Sequence, residues 1–223
     1  MKKLKTACIL NGILALMELI ACVWMFTGFS LTGKREALTS EKWEFLRYFT
    51  VDSNILMGVF AAITAVYQGR VLRGKREGIP AVCDILNLTG TVGVTLTMLV
   101  VVFFLMPVMH SAIGWFGMFL NSNFLFHLLC PLLSIIIFLF FEKSDRLRLS
   151  HVFAAMIPMG IYAVYYITVT LKHMQNGRVE AGYDWYYFFS GGMSAFYTVL
   201  PAMLLGTFLI SYVLFRLNRK KHG

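Results

Sequence analysis

Charge is scarce in this chain. Only 14% of its 223 residues are Asp, Glu, Lys or Arg, while 58% are hydrophobic and the mean hydropathy is +0.71. A water-soluble domain of this length has no way to hide so much apolar surface, so that class is excluded. Cysteine is limited to Cys8, Cys22, Cys83 and Cys130, all in or beside apolar runs and without a C-x-x-C pair, which excludes a disulfide framework. The histidines at 110, 127, 151, 173 and 222 show no H-x-x-x-H or H-E-x-x-H spacing, so no metal site is expected. There is no Walker loop or dinucleotide fingerprint; Gly90-Thr-Val-Gly93 is too short and lies in an apolar run. No G-x-S-x-G elbow is present, which argues against an α/β-hydrolase. No cofactor is expected. Internal repeats and low-complexity segments are also missing.

What is present is a series of apolar runs of spanning length. They predict an all-α membrane protein, a bundle of six transmembrane helices forming one domain over 1–223, with spans at about 7–30, 47–68, 81–106, 121–141, 149–171 and 193–215. The first run follows a basic start, as a signal peptide would. It is too long for a typical signal core, holds Glu18 and lacks a clear cleavage site, so it reads as a retained helix. Residues 31–46 read as a polar loop. Residues 107–120, uncharged and rich in Gly and aromatics, read as an interfacial segment anchored by Trp115. Pro158 is expected to kink the fifth span.

Net charge is +9, and its distribution is uneven. Fourteen of the 20 Lys and Arg fall in the two tails and in the second and fourth loops. The positive-inside rule then puts both termini in the cytoplasm, and the basic residues answer to the membrane surface and not to nucleic acid. Short loops and the lack of targeting signals point to a prokaryotic plasma (inner) membrane. The oligomeric state is not legible.

Two places concentrate polar side chains. At the start of the second span, Arg47-Tyr48-Phe49-Thr50-Val51-Asp52-Ser53-Asn54 carries five polar or ionisable groups, besides the Tyr48 hydroxyl, to the lipid boundary. Ser53 and Asn54 lie within about 60° of Thr50 around the helix, and Asp52 about 160° away. On spacing alone this face reads as a polar inter-helix seam. In the fourth span, His127 lies roughly 9 Å deep, at a depth similar to Thr50, with Pro131 four residues on and Asn123 and Cys130 on its face. Glu18, with Asn11 on its face, falls near mid-membrane, and Asp84, Asn87 and Thr91 share one face near the cytoplasmic end of the third span. The Asn87-Leu88-Thr89 sequon is discounted because it lies inside a span.

Arg47-Tyr48-Phe49-Thr50 with Asn54, and His127 with Pro131, resemble the androgen-induced protein family, which includes the androgen-dependent tissue-factor-pathway-inhibitor regulator and a set of bacterial six-helix proteins. Tyr183-Asp184-Trp185-Tyr186 resembles the bacterial members. Asp52-Ser53 departs from the pattern, being more polar than the pair expected there. The resemblance implies a six-span hydrolase of fatty acid esters of hydroxy fatty acids or related acyl esters, with Thr50 as nucleophile and His127 as base. Membrane lipids and a lipid-like ester would then be its partners. Ser53, Asn54 and a backbone N–H are candidates for oxyanion stabilisation, Asn123 for substrate contact, and Asp184 for substrate contact or for orienting His127. Cys130 is a rival nucleophile. Two other functions stay open: a small transporter or channel using Glu18, Asp84 and His127 as a proton path, and a non-catalytic interaction protein. A reporter fused to the C-terminus is expected to be active only when it suits the cytoplasm; one active only on the outer side contradicts the topology.

Overall fold

The computed structural model describes residues 1–33, 42–180, 182–189 and 192–219. Residues 34–41 of the expected polar loop, and Lys220 and Lys221 of the basic tail, lie outside the described residues. Among those described, six helices are long and apolar enough to cross a membrane. They are α1 (Lys2–Thr27), α2 (Phe49–Leu72), α3 (Ala81–Ile113), α4 (Ser122–Phe141), α5 (Leu149–Lys172) and α6 (Met193–Asn218). The chain is therefore an integral membrane protein built as a six-helix bundle. Six crossings leave both termini at one end, here the terminal end, with the distal end opposite.

Helix α1 buries Ala7, Asn11, Leu14, Glu18, Ala21 and Met25, a stripe that recurs every three or four residues and meets α2. Ile9, Leu16, Leu19, Ile20 and Val23 stay exposed, as suits a surface bathed in lipid. Gly28, at φ 65°, closes the helix in the left-handed conformation. Helix α2 is the central element. A Cβ at Gly58 would lie 2.8 Å from the Cβ of Glu18, and one at Gly90 would lie 3.2 Å from the Met57 backbone. These two glycines let α1 and α3 approach α2 closely.

The third span is longer than its sequence suggests. Helix α3 continues through Pro107 to Ile113, where an interfacial segment was expected. A proline inside a helix lacks an N–H and crowds the preceding turn. The chain accommodates it by widening residues Val101–Leu105 into a π-turn, so that the Met106 N–H bonds the Val101 carbonyl five residues back. Helix α4 repeats the device before Pro131: Leu125–Leu129 are π-helical, and the Cys130 N–H bonds the Leu125 carbonyl. The expected Pro158 kink takes the form of a break between Leu149–Ala154 and Ile157–Lys172. The connection to α6 carries a hairpin, β1 (Met174–Gln175) with β2 (Arg178–Val179). Its turn residues Asn176 and Gly177 both have positive φ, as an Asn-Gly hairpin turn requires.

Polar ties hold the terminal end. The Glu142 carboxylate accepts hydrogen bonds from Asn11 Nδ2 (2.6 Å), Gln68 Nε2 (2.9 Å) and Asn87 Nδ2 (2.7 Å), on α1, α2 and α3. Asp84 takes a two-pronged pair from Arg146, at 2.8 and 2.9 Å, and a bond from the Ser144 hydroxyl. Thr91 pairs with Ser134 across to α4 at 2.8 Å. Asp84, Asn87 and Thr91 thus make three separate ties to the end of α4 and the chain after it.

Burial pushes the Glu142 carboxyl up to about 7, against the pull of its amide donors. A carboxyl raised in the folded state above its free value of 4.5 favours folding most below that value. The contribution is lost as pH rises through about 7. The thermal midpoint in detergent should fall over this window in the wild type and fall less in Glu142→Gln. Equal pH slopes for the two proteins would contradict the assignment.

Candidate active site

At the distal end the start of α2, the end of α3, α4 and the loop before α6 enclose a cavity of about 430 Å³. Its polar lining includes Arg47, Thr50, His127, Asp184 and Tyr186. The two residues singled out on different spans therefore face one space.

Thr50 sits in the first turn of α2, after Tyr48 in extended conformation, and is 4% exposed. Its backbone carbonyl accepts bonds from Ser53 Oγ at 3.1 Å and Asn54 Nδ2 at 2.6 Å. The same Asn54 amide reaches the Phe126 carbonyl at 3.3 Å, so one side chain clips the residue before His127 to Thr50. Ser53 Oγ also pairs with Thr97 Oγ1 at 3.2 Å. Neither Ser53 nor Asn54 lines the cavity. Their hydrogen bonds are those of supports beneath Thr50, where oxyanion donors were expected from sequence. Asn123 is fully buried one turn before His127 and also does not line the cavity.

His127 lies in the π-turn of α4 and is 1% exposed. The short turn Trp115–Phe119 and the reversal at Asn121, φ 53°, bring the Met118 carbonyl back to within 2.6 Å of Nδ1. A carbonyl only accepts, so Nδ1 carries the proton in this contact and Nε2 keeps its lone pair. Nε2 is buried and makes no hydrogen bond among the described residues. The orienting group is thus a backbone carbonyl. Asp184, the sequence candidate for that task, lines the cavity, but its carboxylate accepts the Tyr166 hydroxyl and the N–H groups of Phe188 and Phe189. Cys130 is fully buried outside the cavity lining, with its thiol against Glu18.

Two residues not chosen from sequence join the site. Arg47 lines the cavity; its guanidinium donates to the Tyr48 hydroxyl at 2.7 Å and lies 4.9 Å from that ring's centre. Its Nε is buried without a partner, and no carboxylate pairs with it among the described residues. Tyr186 is the other. Its position inside the Tyr183-Asp184-Trp185-Tyr186 run was visible, but the fold alone brings it beside Thr50.

Thr50 also borders a second space. A narrow apolar crevice of about 30 Å³ runs from Thr50 between Leu96, Val100, Met159 and Met203. Another of similar size shares Met159, Phe188 and Met203 with it and continues along Val199 and Leu200 between α5 and α6. Thr50 therefore borders both a polar chamber and a narrow apolar slot.

No protein-family model, curated protein or solved structure matches this chain.

Nitrogen-15 spectra of labelled protein should show His127 as a neutral ring protonated at Nδ1. A ring protonated at Nε2 alone would mean that the Met118 carbonyl does not orient it.

Proposed function

We propose that this protein is an intramembrane hydrolase of lipid-like acyl esters, with Thr50 as nucleophile and His127 as general base. The observation that carries the reading is that Thr50 and a buried imidazole line one cavity, the imidazole fixed at Nδ1 and bare at Nε2, with no direct hydrogen bond between the two. Nucleophile, base and orienting group are the three parts such chemistry needs. Thr50 Oγ1 attacks the ester carbonyl carbon while its proton passes to His127 Nε2. The tetrahedral intermediate collapses, and the leaving alkoxide takes that proton. Water then attacks the acyl-threonine, again through His127, and releases the acid.

The substrate class follows from the two spaces beside Thr50. The apolar slot is narrow and would have to widen to take an acyl chain arriving sideways from the bilayer, while the chamber suits the other half of the ester. Arg47 makes no ion pair among the described residues, though Glu180 and Asp184 also line the chamber, and its free Nε offers a donor to a half that ends in a carboxylate. Fatty acid esters of hydroxy fatty acids have this form, and the resemblance to the androgen-induced protein family agrees with it. On the positive-inside rule the termini are cytoplasmic and the chamber opens at the outer leaflet, in our reading of a prokaryotic plasma membrane. The proton-path alternative loses one of its three groups, because Asp84 is held by Arg146 and Ser144 at the opposite end.

A lipid-like fluorophosphonate should label the wild-type protein at Thr50. Thr50→Ala should abolish labelling and turnover, and His127→Ala should slow both by about 10²–10⁴-fold. Thr50→Ser should retain partial activity. The double mutant should be little worse than either single, because the two act as a unit. Undiminished labelling of a folded Thr50→Ala protein would overturn the reading.

A further inference from the structure

The loop before α6 places the Tyr186 side chain beside the reacting centre. Tyr186 is 6% exposed, and its Oη is buried without a hydrogen bond of ordinary geometry. A buried hydroxyl normally finds a partner, so an orphan at the mouth of a site calls for a reason. This one lies against the Tyr162 hydroxyl and against the side chain and backbone of Thr50. Thr50, Leu105 and Tyr186 are the residues that line both the polar chamber and the apolar slot, so they form the neck between the two. An ester with its chain in the slot and its other half in the chamber has its carbonyl at that neck.

The surroundings keep the ring in place. Tyr48 and Tyr162 meet it edge-on at 6.5 and 6.3 Å, Tyr166 lies tilted at 5.8 Å, and Phe188 stacks on it at 5.3 Å. Asp184 ties the segment down by accepting the Phe188 and Phe189 N–H groups and the Tyr166 hydroxyl. The next residue, Tyr187, has φ 59°, a conformation that a bulky side chain adopts only where its surroundings enforce it. Burial pushes the Tyr186 hydroxyl up to about 12, so near neutral pH it keeps its proton and donates.

We infer that Tyr186 Oη is the hydrogen-bond donor that receives the negative charge formed on the ester carbonyl oxygen when Thr50 attacks. The inference rests on the Thr50–His127 reading and adds the group that reading lacked, since Ser53 and Asn54 bind the Thr50 carbonyl instead. As the Oγ1–carbon bond forms, the carbonyl π pair moves to the oxygen and the Thr50 proton moves to His127 Nε2. Tyr186 shares its proton with the oxyanion without giving it up. Collapse returns the pair to the C=O bond and expels the alkoxide. A preorganised donor of this kind acts on the transition state far more than on the bound ester.

The test uses the full-length protein in detergent with a p-nitrophenyl ester of a medium-chain fatty acid. Tyr186→Phe keeps the ring and removes the donor. The expected result is a fall in kcat of about 10²–10³-fold with KM nearly unchanged and the thermal midpoint retained. An unchanged kcat, or a rise in KM alone, overturns the inference. If Tyr186→Phe does not fold, fluorotyrosine at position 186 keeps the shape and makes the hydroxyl a stronger donor. A raised kcat at constant KM then supports the role, and an unaltered kcat overturns it. Thr50→Ala separates the two levels. Loss of turnover there with full activity in Tyr186→Phe removes only Tyr186, whereas retained turnover in Thr50→Ala removes the hydrolase reading itself.

Discussion

Hydrocarbon offers no hydrogen bonds, so a polar side chain carried into the bundle must find its partner on a neighbouring helix. The Glu142 carboxylate meets this constraint with amides from α1, α2 and α3, and its backbone carbonyl accepts from Asn218 of α6. Hydrogen bonds depend on direction, and inside a low-dielectric bundle they are costly to leave unmade. Five of the six spans are thus located relative to one residue at the terminal end. Apolar surfaces slide over one another at little cost in lipid; these bonds do not.

The distal end is organised differently. There the bonds go to backbone carbonyls: Asn54 to those of Thr50 and Phe126, His127 to that of Met118, Tyr162 to that of Arg47. Such bonds fix side chains and chain turns while leaving functional atoms bare. Arg47 Nε, His127 Nε2 and Tyr186 Oη are all buried and unpaired around one chamber. Buried orphans are rare in stable proteins, and several of them around one cavity suit a place meant for a visitor. The terminal end gathers most of its polar groups onto two carboxylates, and the distal end leaves three unpaired around the chamber.

Much of this was readable in the residues. The spans were, because hydropathy and length are local properties. So was the polar face of α2: Thr50, Ser53, Asn54 and Met57 are all buried together. Pro131 correctly marked a disturbed turn beside His127. The roles within that face were not readable, since helical spacing says which side chains share a direction and not whether they reach a substrate or a carbonyl. The true extent of α3 was hidden for a related reason. Pro107 signals a stop under α-helical rules, and only the widened turn before it lets the helix continue. The Met118 carbonyl carries no side-chain signature. Asn176-Gly177 is a hairpin signal, but strands of two residues each carry no alternating pattern to support it.

The widened turn in α4 bears on more than the proline. A π-turn holds one residue more than the α-turn it replaces, and each residue of a helix rotates the chain by about 100°. The two halves of α4 are therefore set to separate bearings. Beyond the turn, Cys130, Ser134 and Ile137 pack inward against α1, α2 and α3. Within it, His127 faces the chamber. Removing a single residue from Leu125–Leu129 would leave a regular apolar helix of spanning length, with packing in its terminal half intact and the imidazole turned away from Thr50. At this point of the chain, residue count sets the chemistry while composition sets only the span. Two proteins that differ here by one residue would look alike in hydropathy and not be alike in what they do.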